Sequence, residues 1–204
     1  MQLLLIDDNE NLCKLYKELL KQGGHETRIE TDASKALDAI RMKRPDLILL
    51  DIMMEPMSGW EVLEQIRSSS DIADIPVIIL TGKVLTTQEA VKYGFMIEGF
   101  VMKPLERTML LKVVDDTKEI INESKEQYSR AISSGLTSEQ ASVCRDVIKK
   151  KRILQFLHET LLKREQLMKG EADDNIEILH SLDELRQMIT SEYQKINHII
   201  ENCP

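Results

Sequence analysis

Four short apolar runs, each ending in a residue with chemistry to offer, constrain this chain more than any other feature. Leu47-Ile48-Leu49-Leu50 runs into Asp51, and Leu3-Leu4-Leu5-Ile6 runs into Asp7-Asp8. Val77-Ile78-Ile79-Leu80 runs into Thr81, and Phe100-Val101-Met102 into Lys103-Pro104. Continuous apolar character, without alternation, marks a strand buried on both faces, as in a parallel sheet covered by helices. Strands are expected near residues 2–6, 26–30, 46–50, 76–80 and 98–102, and helices near 10–22, 34–43, 59–69, 86–93 and from 105 onward. Gly23-Gly24 stops the first helix, and Asp32-Ala33-Ser34 offers caps for the second. This alternation predicts an α/β, doubly wound parallel sheet of five strands.

Parallel strands deliver their last residues to one sheet edge. Three carboxylates, a hydroxyl and an ammonium therefore meet where open α/β sheets bind ligands. Carboxylates this close repel one another unless a cation sits among them. Hard oxygen donors suit Mg²⁺, which keeps most of its waters and takes few protein groups. Such a cleft is suited to receive a phosphoryl group on one carboxylate.

This constellation resembles the receiver domain of two-component response regulators. Asp7, Asp8, Asp51, Thr81, Lys103 and the cis-prone Pro104 carry the resemblance, with Asp51-Ile52-Met53-Met54-Glu55-Pro56-Met57-Ser58-Gly59 as the loop after the phosphoacceptor. The spacings agree, with Thr81 30 residues after Asp51 and Lys103 22 after Thr81. The resemblance covers residues 1–120, leaving 121–204 as a long-helix tail. It implies a flavodoxin-like strand order of 2-1-3-4-5 followed by an all-α domain, and phosphorylation of Asp51 by a sensor histidine kinase. Asp8 would be a direct Mg²⁺ ligand, Asp7 would act through a water, and the backbone carbonyl of Met53 would be a further ligand. Lys103 would pair with Asp51 and then with a phosphoryl oxygen, to which Thr81 would also donate. Phe100 holds the aromatic switch position without the hydroxyl of the commoner tyrosine. The only catalysis implied is of the protein's own phosphorylation and dephosphorylation.

Two departures from the family pattern stand out: Glu55-Pro56 displaces the loop proline by one position, and Gly82 stands where alanine is usual. Met53 and Lys83 hold positions that influence the attacking water in the family. Neither holds a water as an acceptor of the usual kind, which implies a moderate to long acyl-phosphate lifetime. The plainer alternative has both merely lining the cleft rim.

Beyond Pro104 the strand signals stop. A helix from Leu105 to about Ile132 is broken by Ser133-Ser134-Gly135. A second is capped at Thr137 or Ser138 and ends near Gly170, and a third is capped by Asp173-Asp174-Asn175 and runs to about Asn202. Val143, Val147, Leu154, Leu157 and Leu161 on the second, and Leu182, Leu185, Ile189, Ile196 and Ile199 on the third, make stripes suited to helix-on-helix packing. A hairpin of two such helices leaves apolar surface exposed, so a homodimer through a four-helix bundle is expected over a monomeric three-helix bundle.

Charge narrows the partners. The net charge is −8, with −6 in residues 1–120 and −2 in 121–204. That disfavours a basic nucleic-acid surface. Lys149-Lys150-Lys151-Arg152 is a lone basic cluster whose members point in four directions on a helix. A protein partner for the tail is therefore expected, with a DNA-binding regulator or a phosphotransfer bundle as alternatives. His158, His180 and His198 carry no context resembling a phosphorelay motif. The first apolar run is too short for a signal peptide, and none approaches the roughly 20 residues of a membrane span, so a cytoplasmic protein is expected. Cys13, Cys144 and Cys203, odd in number and far apart, read as reduced thiols.

Overall fold

A computed structural model describes residues 1–82, 86–103, 107–147, 150–151, 154–155, 176–200 and 203. It divides into two compact units, the first made of Met1–Val84 and Met96–Asp115, the second of Leu85–Phe95 and Asp116–Pro204.

The first unit is built on a parallel sheet of β1 (Gln2–Ile6), β2 (Glu26–Glu30), β3 (Leu47–Asp51), β4 (Val77–Thr81) and β5 (Gly99–Met102), in the order β2-β1-β3-β4-β5. This is the doubly wound, flavodoxin-like arrangement. Every residue of β3 and β4 is buried, which is why these segments carry no polar alternation. Pairing of Ile6 with Leu50, Asp51 with Leu80 and Thr81 with Met102 aligns the ends of the four strands that bear the polar residues. The ends of β3 and β4 fall one residue later than expected, so Asp51 and Thr81 are the last residues of their strands.

Helices α1 (Glu10–Gln22), α2 (Ala36–Met42) and α3 (Gly59–Ser68) cover the sheet. Asn9 caps α1 by accepting from the Leu12 N–H. The expected second helix is divided into a 3₁₀ turn, Ala33–Lys35, whose Asp32 cap binds Ser34, and α2 behind it. Ser58 and Glu61 form a reciprocal capping box on α3. One face of the core joins Leu3, Leu5, Leu47, Leu49, Ile78 and Leu80 to Tyr16, Leu20, Leu110 and Val114. At the opposite end of β4 from Thr81, Arg67 of α3 donates to the carbonyls of Ala73, Ile75 and Met96. It also pairs with Glu98, which accepts from the Val77 N–H. One guanidinium thus satisfies three loop carbonyls that the sheet cannot reach.

The second unit contains α4 (Thr87–Tyr93), the later part of α5 (Arg107–Ser133) and α6 (Ile176–Ile200). Thr86 and Glu89 make a capping box before α4. Gly135, with φ of +92°, follows α5 in the left-handed region that an L side chain rarely adopts. Residues 138–147 are helical as expected. They bury Ala141, Cys144 and Val147, spaced by three, and this leaves Val143 exposed instead of on the expected stripe. Val147 and Leu154 pack with Ile189 and Ile196, joined by Phe95, Tyr193 and Ile199. Leu157, Leu161 and the side chains of Leu182 and Leu185 lie outside the described residues, as do Lys149 and Arg152 of the basic cluster and His158. α4 packs along α6.

Contrary to the expectation of three reduced thiols, Cys144 and Cys203 form a disulfide. Their separation of 59 positions hid the pairing, because only the folding back of α6 brings the two backbones together. Cys13 remains a free, buried thiol.

Gly59 offers a direct test of the packing beneath the loop after Asp51. A Cβ there would lie 1.9 Å from the Asp51 carbonyl oxygen and 2.7 Å from the Ile52 Cα, both backbone atoms that cannot rotate away. A Cβ on Gly82 meets nothing within 4 Å. Urea unfolding of Gly59→Ala is expected to register a loss of about 1–3 kcal/mol, and Gly82→Ala a change within about 0.5 kcal/mol. Equal effects at the two positions would contradict this packing.

Candidate functional site

The aligned ends of β1, β3, β4 and β5 lead directly to Asp7, Asp51, Thr81 and Lys103. Asp7 and Thr81 are fully buried, and Asp51 is 5% exposed. Burying carboxylates is costly unless they are paired and hydrogen-bonded. Lys103 meets that requirement: its Nζ donates to Asp7 Oδ2 at 2.5 Å and to Asp51 Oδ2 at 2.8 Å. Its own backbone N–H is fixed to the Thr81 carbonyl at 2.8 Å, which anchors the lysine to the end of β4.

The second oxygens of the acids are held by backbone. Asp7 Oδ1 accepts from the Asn9 N–H at 2.9 Å, and Asp51 Oδ1 from the Met53 N–H at 3.2 Å. Asp8 is exposed and accepts from the Glu55 N–H at 3.3 Å. Asn9 is therefore doubly placed, capping α1 and orienting Asp7. Sequence reasoning did not single out Asn9; an Asn just before the first helix is the signal that could have found the cap, whereas its grip on Asp7 has none. The Glu55 contact had no sequence signal, since any residue supplies an N–H.

Burial pushes the Lys103 ammonium down, yet its hydrogen bonds to Asp51 and Asp7 outweigh that and hold its pKa above the ordinary lysine range. A proton held more tightly by the folded than by the unfolded chain favours folding. A raised lysine pKa stabilises the fold at all pH values below the unfolded value of 10.5, and this is lost only as pH climbs past the raised value. The bridge is thus intact throughout the neutral range. Cys13, beneath the site, donates its thiol to the Asp7 carbonyl. Burial, reinforced by the negative charge of Asp7, pushes its pKa up to about 12, so it is not a thiolate at neutral pH.

One oxygen from each of Asp7, Asp8 and Asp51 lies within 4.8 Å of the others. This donor set fits a hard divalent cation such as Mg²⁺, for which carboxylate oxygen is the preferred ligand. Lys103 balances part of the charge of three acids and leaves a net negative cleft for the ion. The arrangement brings together Asp7, Asp8, Asp51 and Lys103, with Thr81 at the adjoining strand end. Met53 follows and is 58% exposed. Phe100 is half-buried on β5 beside Ile79 of β4. Pro104 and Lys83 lie outside the described residues, and the cis peptide bond among the described residues is Glu55–Pro56.

Comparison with known proteins agrees with this geometry. The family model for the response regulator receiver domain matches residues 3–115. Over 112 residues the chain is 31% identical to the polar-differentiation response regulator DivK of Brucella anthropi, a match covering 54% of this chain and 90% of that protein. It is 33% identical over 105 residues to the DNA-binding response regulator MtrA of Mycolicibacterium smegmatis, covering 52% of this chain and 45% of MtrA. The match thus spans about half the length of that relative. The fold is similar to that of the chemotaxis protein CheY4 of Vibrio cholerae, with a TM-score of 0.52 and 26% identity over 56% of this chain and 96% of that one. The family model stops at residue 115 and leaves the later helices unassigned. No helix among the described residues is long and apolar enough to cross a membrane.

Proposed function

The chain belongs to the response regulator receiver family, and from that premise we propose that it accepts a phosphoryl group on Asp51 and relays the change through its helical tail. The observation that carries this reading is the Asp51 carboxylate. It sits at a strand end with one oxygen 2.8 Å from Lys103 Nζ and an acidic cluster beside it. A carboxylate is a competent nucleophile toward phosphorus once its donor is aligned and charge repulsion is relieved.

An Asp51 oxygen attacks the phosphorus of a phosphorylated histidine on a sensor kinase. The P–N bond breaks, the imidazole leaves with the electron pair, and an acyl phosphate remains on Asp51. Asp7, Asp8, Asp51 and the Met53 backbone carbonyl would hold a Mg²⁺, which supplies neutralisation of the acids and the incoming phosphate. Lys103 moves from the Asp51 carboxylate to a phosphoryl oxygen, and the Thr81 hydroxyl donates to another. Phe100, on the strand that leads to Lys103, answers by repacking. The exposed Met53 side chain gives the attacking water no firm hold, which favours a lasting acyl phosphate. As a signalling domain, the protein acts on no substrate besides its own phosphoryl group.

For the tail, residues 121–204 carry a net charge of only −2, and Ile189 and Ile196 sit in an aliphatic core. Both features support a protein partner or a second copy of the chain over nucleic acid. The working compartment on this reading is the cytoplasm.

Incubation with acetyl phosphate or another small phosphodonor should label the native chain in Mg²⁺ and leave Asp51→Asn unlabelled. Excess chelator should abolish labelling of the native chain. Equal labelling of the Asn variant, or indifference to chelation, would sink the reading. Light scattering of the full chain should report twice the monomer mass of 23.5 kDa. A monomer both with and without phosphodonor would rule out the homodimer.

A further inference from the structure

The disulfide joins two distant stretches of the second unit. Cys144 sits in the helical stretch 138–147, in a small core with Ala131 and Ala141 that includes Cys203. Three positions on, Val147 belongs to the core that holds Leu154, Ile189 and Ile196, with Phe95 packed against it. Phe95 follows α4 within two residues, and α4 itself packs along α6. The bond therefore fastens 138–147 to the chain just beyond α6, the helix against which α4 rests. A seven-residue helix is too short to persist alone, so the order of α4 depends on what it packs against.

We propose that the Cys144–Cys203 disulfide is a redox latch on the helical unit, and that its reduction by a dithiol loosens the packing that holds α4. Cys144 is buried and Cys203 half-buried, so a reductant reaches the bond from the Cys203 side. Its thiolate attacks the Cys203 sulfur, the Cys144 thiolate leaves, and a mixed disulfide forms. The second thiol of the reductant then attacks that mixed disulfide and releases Cys203. Two electrons pass to the protein, the reductant becomes a disulfide, and two protons complete the Cys144 and Cys203 thiols.

The latch matters because the two buried clusters it adjoins among the described residues are small. A cross-link spanning 59 positions restricts the unfolded chain and shifts the folding equilibrium of its unit by about a thousandfold. Its loss is felt first where stability is least, in short elements at the edge of the packing. By sequence, α4 stands between β4, which ends in Thr81, and β5, which leads to Lys103. A redox signal to the tail thereby gains an entry into the connection between two strands of the candidate site. Cys13 takes no part, being buried and held as a thiol. The inference needs no phosphoryl group on Asp51 and stands apart from that reading.

The test combines thiol counting with hydrogen exchange on the full chain. Prepared without reductant, denatured and alkylated, the protein should gain one alkyl group, and three after dithiothreitol, matching one free thiol among three cysteines. Dithiothreitol should accelerate amide exchange in 87–93 and 189–199 about tenfold or more. Exchange in Leu3–Ile6 and Leu47–Leu50 should not change, which also certifies that the sheet is folded. The double variant Cys144→Ser/Cys203→Ser should exchange like the reduced native chain. Three alkyl groups before reduction, or exchange at 87–93 indifferent to dithiothreitol, overturns the proposal.

Discussion

Two carboxylates buried at the end of a parallel sheet, and the Lys103 ammonium that bridges them, set the terms for the rest of the first unit. Asp7 and Asp51 emerge from β1 and β3, which pair directly, so the topology itself forces them together. Neither has water enough to carry its charge alone. Lys103 answers from the far side of β4, reaching both at once. For that to happen β5 must end level with β4, and the Thr81–Met102 pairing with the Lys103 N–H on the Thr81 carbonyl provides it. Desolvation that a single pair would barely offset is met here by two charged hydrogen bonds and two backbone donors.

The same constraint explains what was readable in the sequence. Apolar runs buried on both faces leave no ambiguity of period, and each ended in a residue whose cost of burial demanded a partner. β1 and β2 fall where expected, and the short displacement of β3 and β4 only moves Asp51 and Thr81 inside their strands. The acids that cluster are the acids singled out from those runs. What stayed hidden depends on contacts without a local signature. The N–H groups of Asn9, Met53 and Glu55 that hold the carboxylates belong to the backbone, and composition says nothing of them.

The tail was harder to read for a different reason. Its stripes predicted helices and helix packing, yet the spacing Ala141-Cys144-Val147 competes with one through Val143, and only packing decides between them. Pairing of Cys144 with Cys203 depends on a helix returning across more than fifty residues, a long-range fact with no pattern in sequence. The grouping of α4 with the tail was equally silent. A helix between two strands of a doubly wound sheet reads as sheet cover, and here the stretch Leu85–Phe95 joins Ile189 and Ile196 in one compact unit.

The acidic edge is held together by the positive charge of Lys103, to which a divalent cation would add on the reading proposed above. Urea unfolding of the native chain and of Lys103→Met at neutral pH, each with chelator and with saturating Mg²⁺, tests it most directly. Without metal the variant should lose about 3–5 kcal/mol, the usual cost of leaving a buried charge unpaired. Mg²⁺ should stabilise both proteins and recover a larger share in the variant, where the carboxylates have lost their internal counter-charge. A Lys103→Met chain as stable as the native one in chelator, or Mg²⁺ that stabilises neither, would contradict the account.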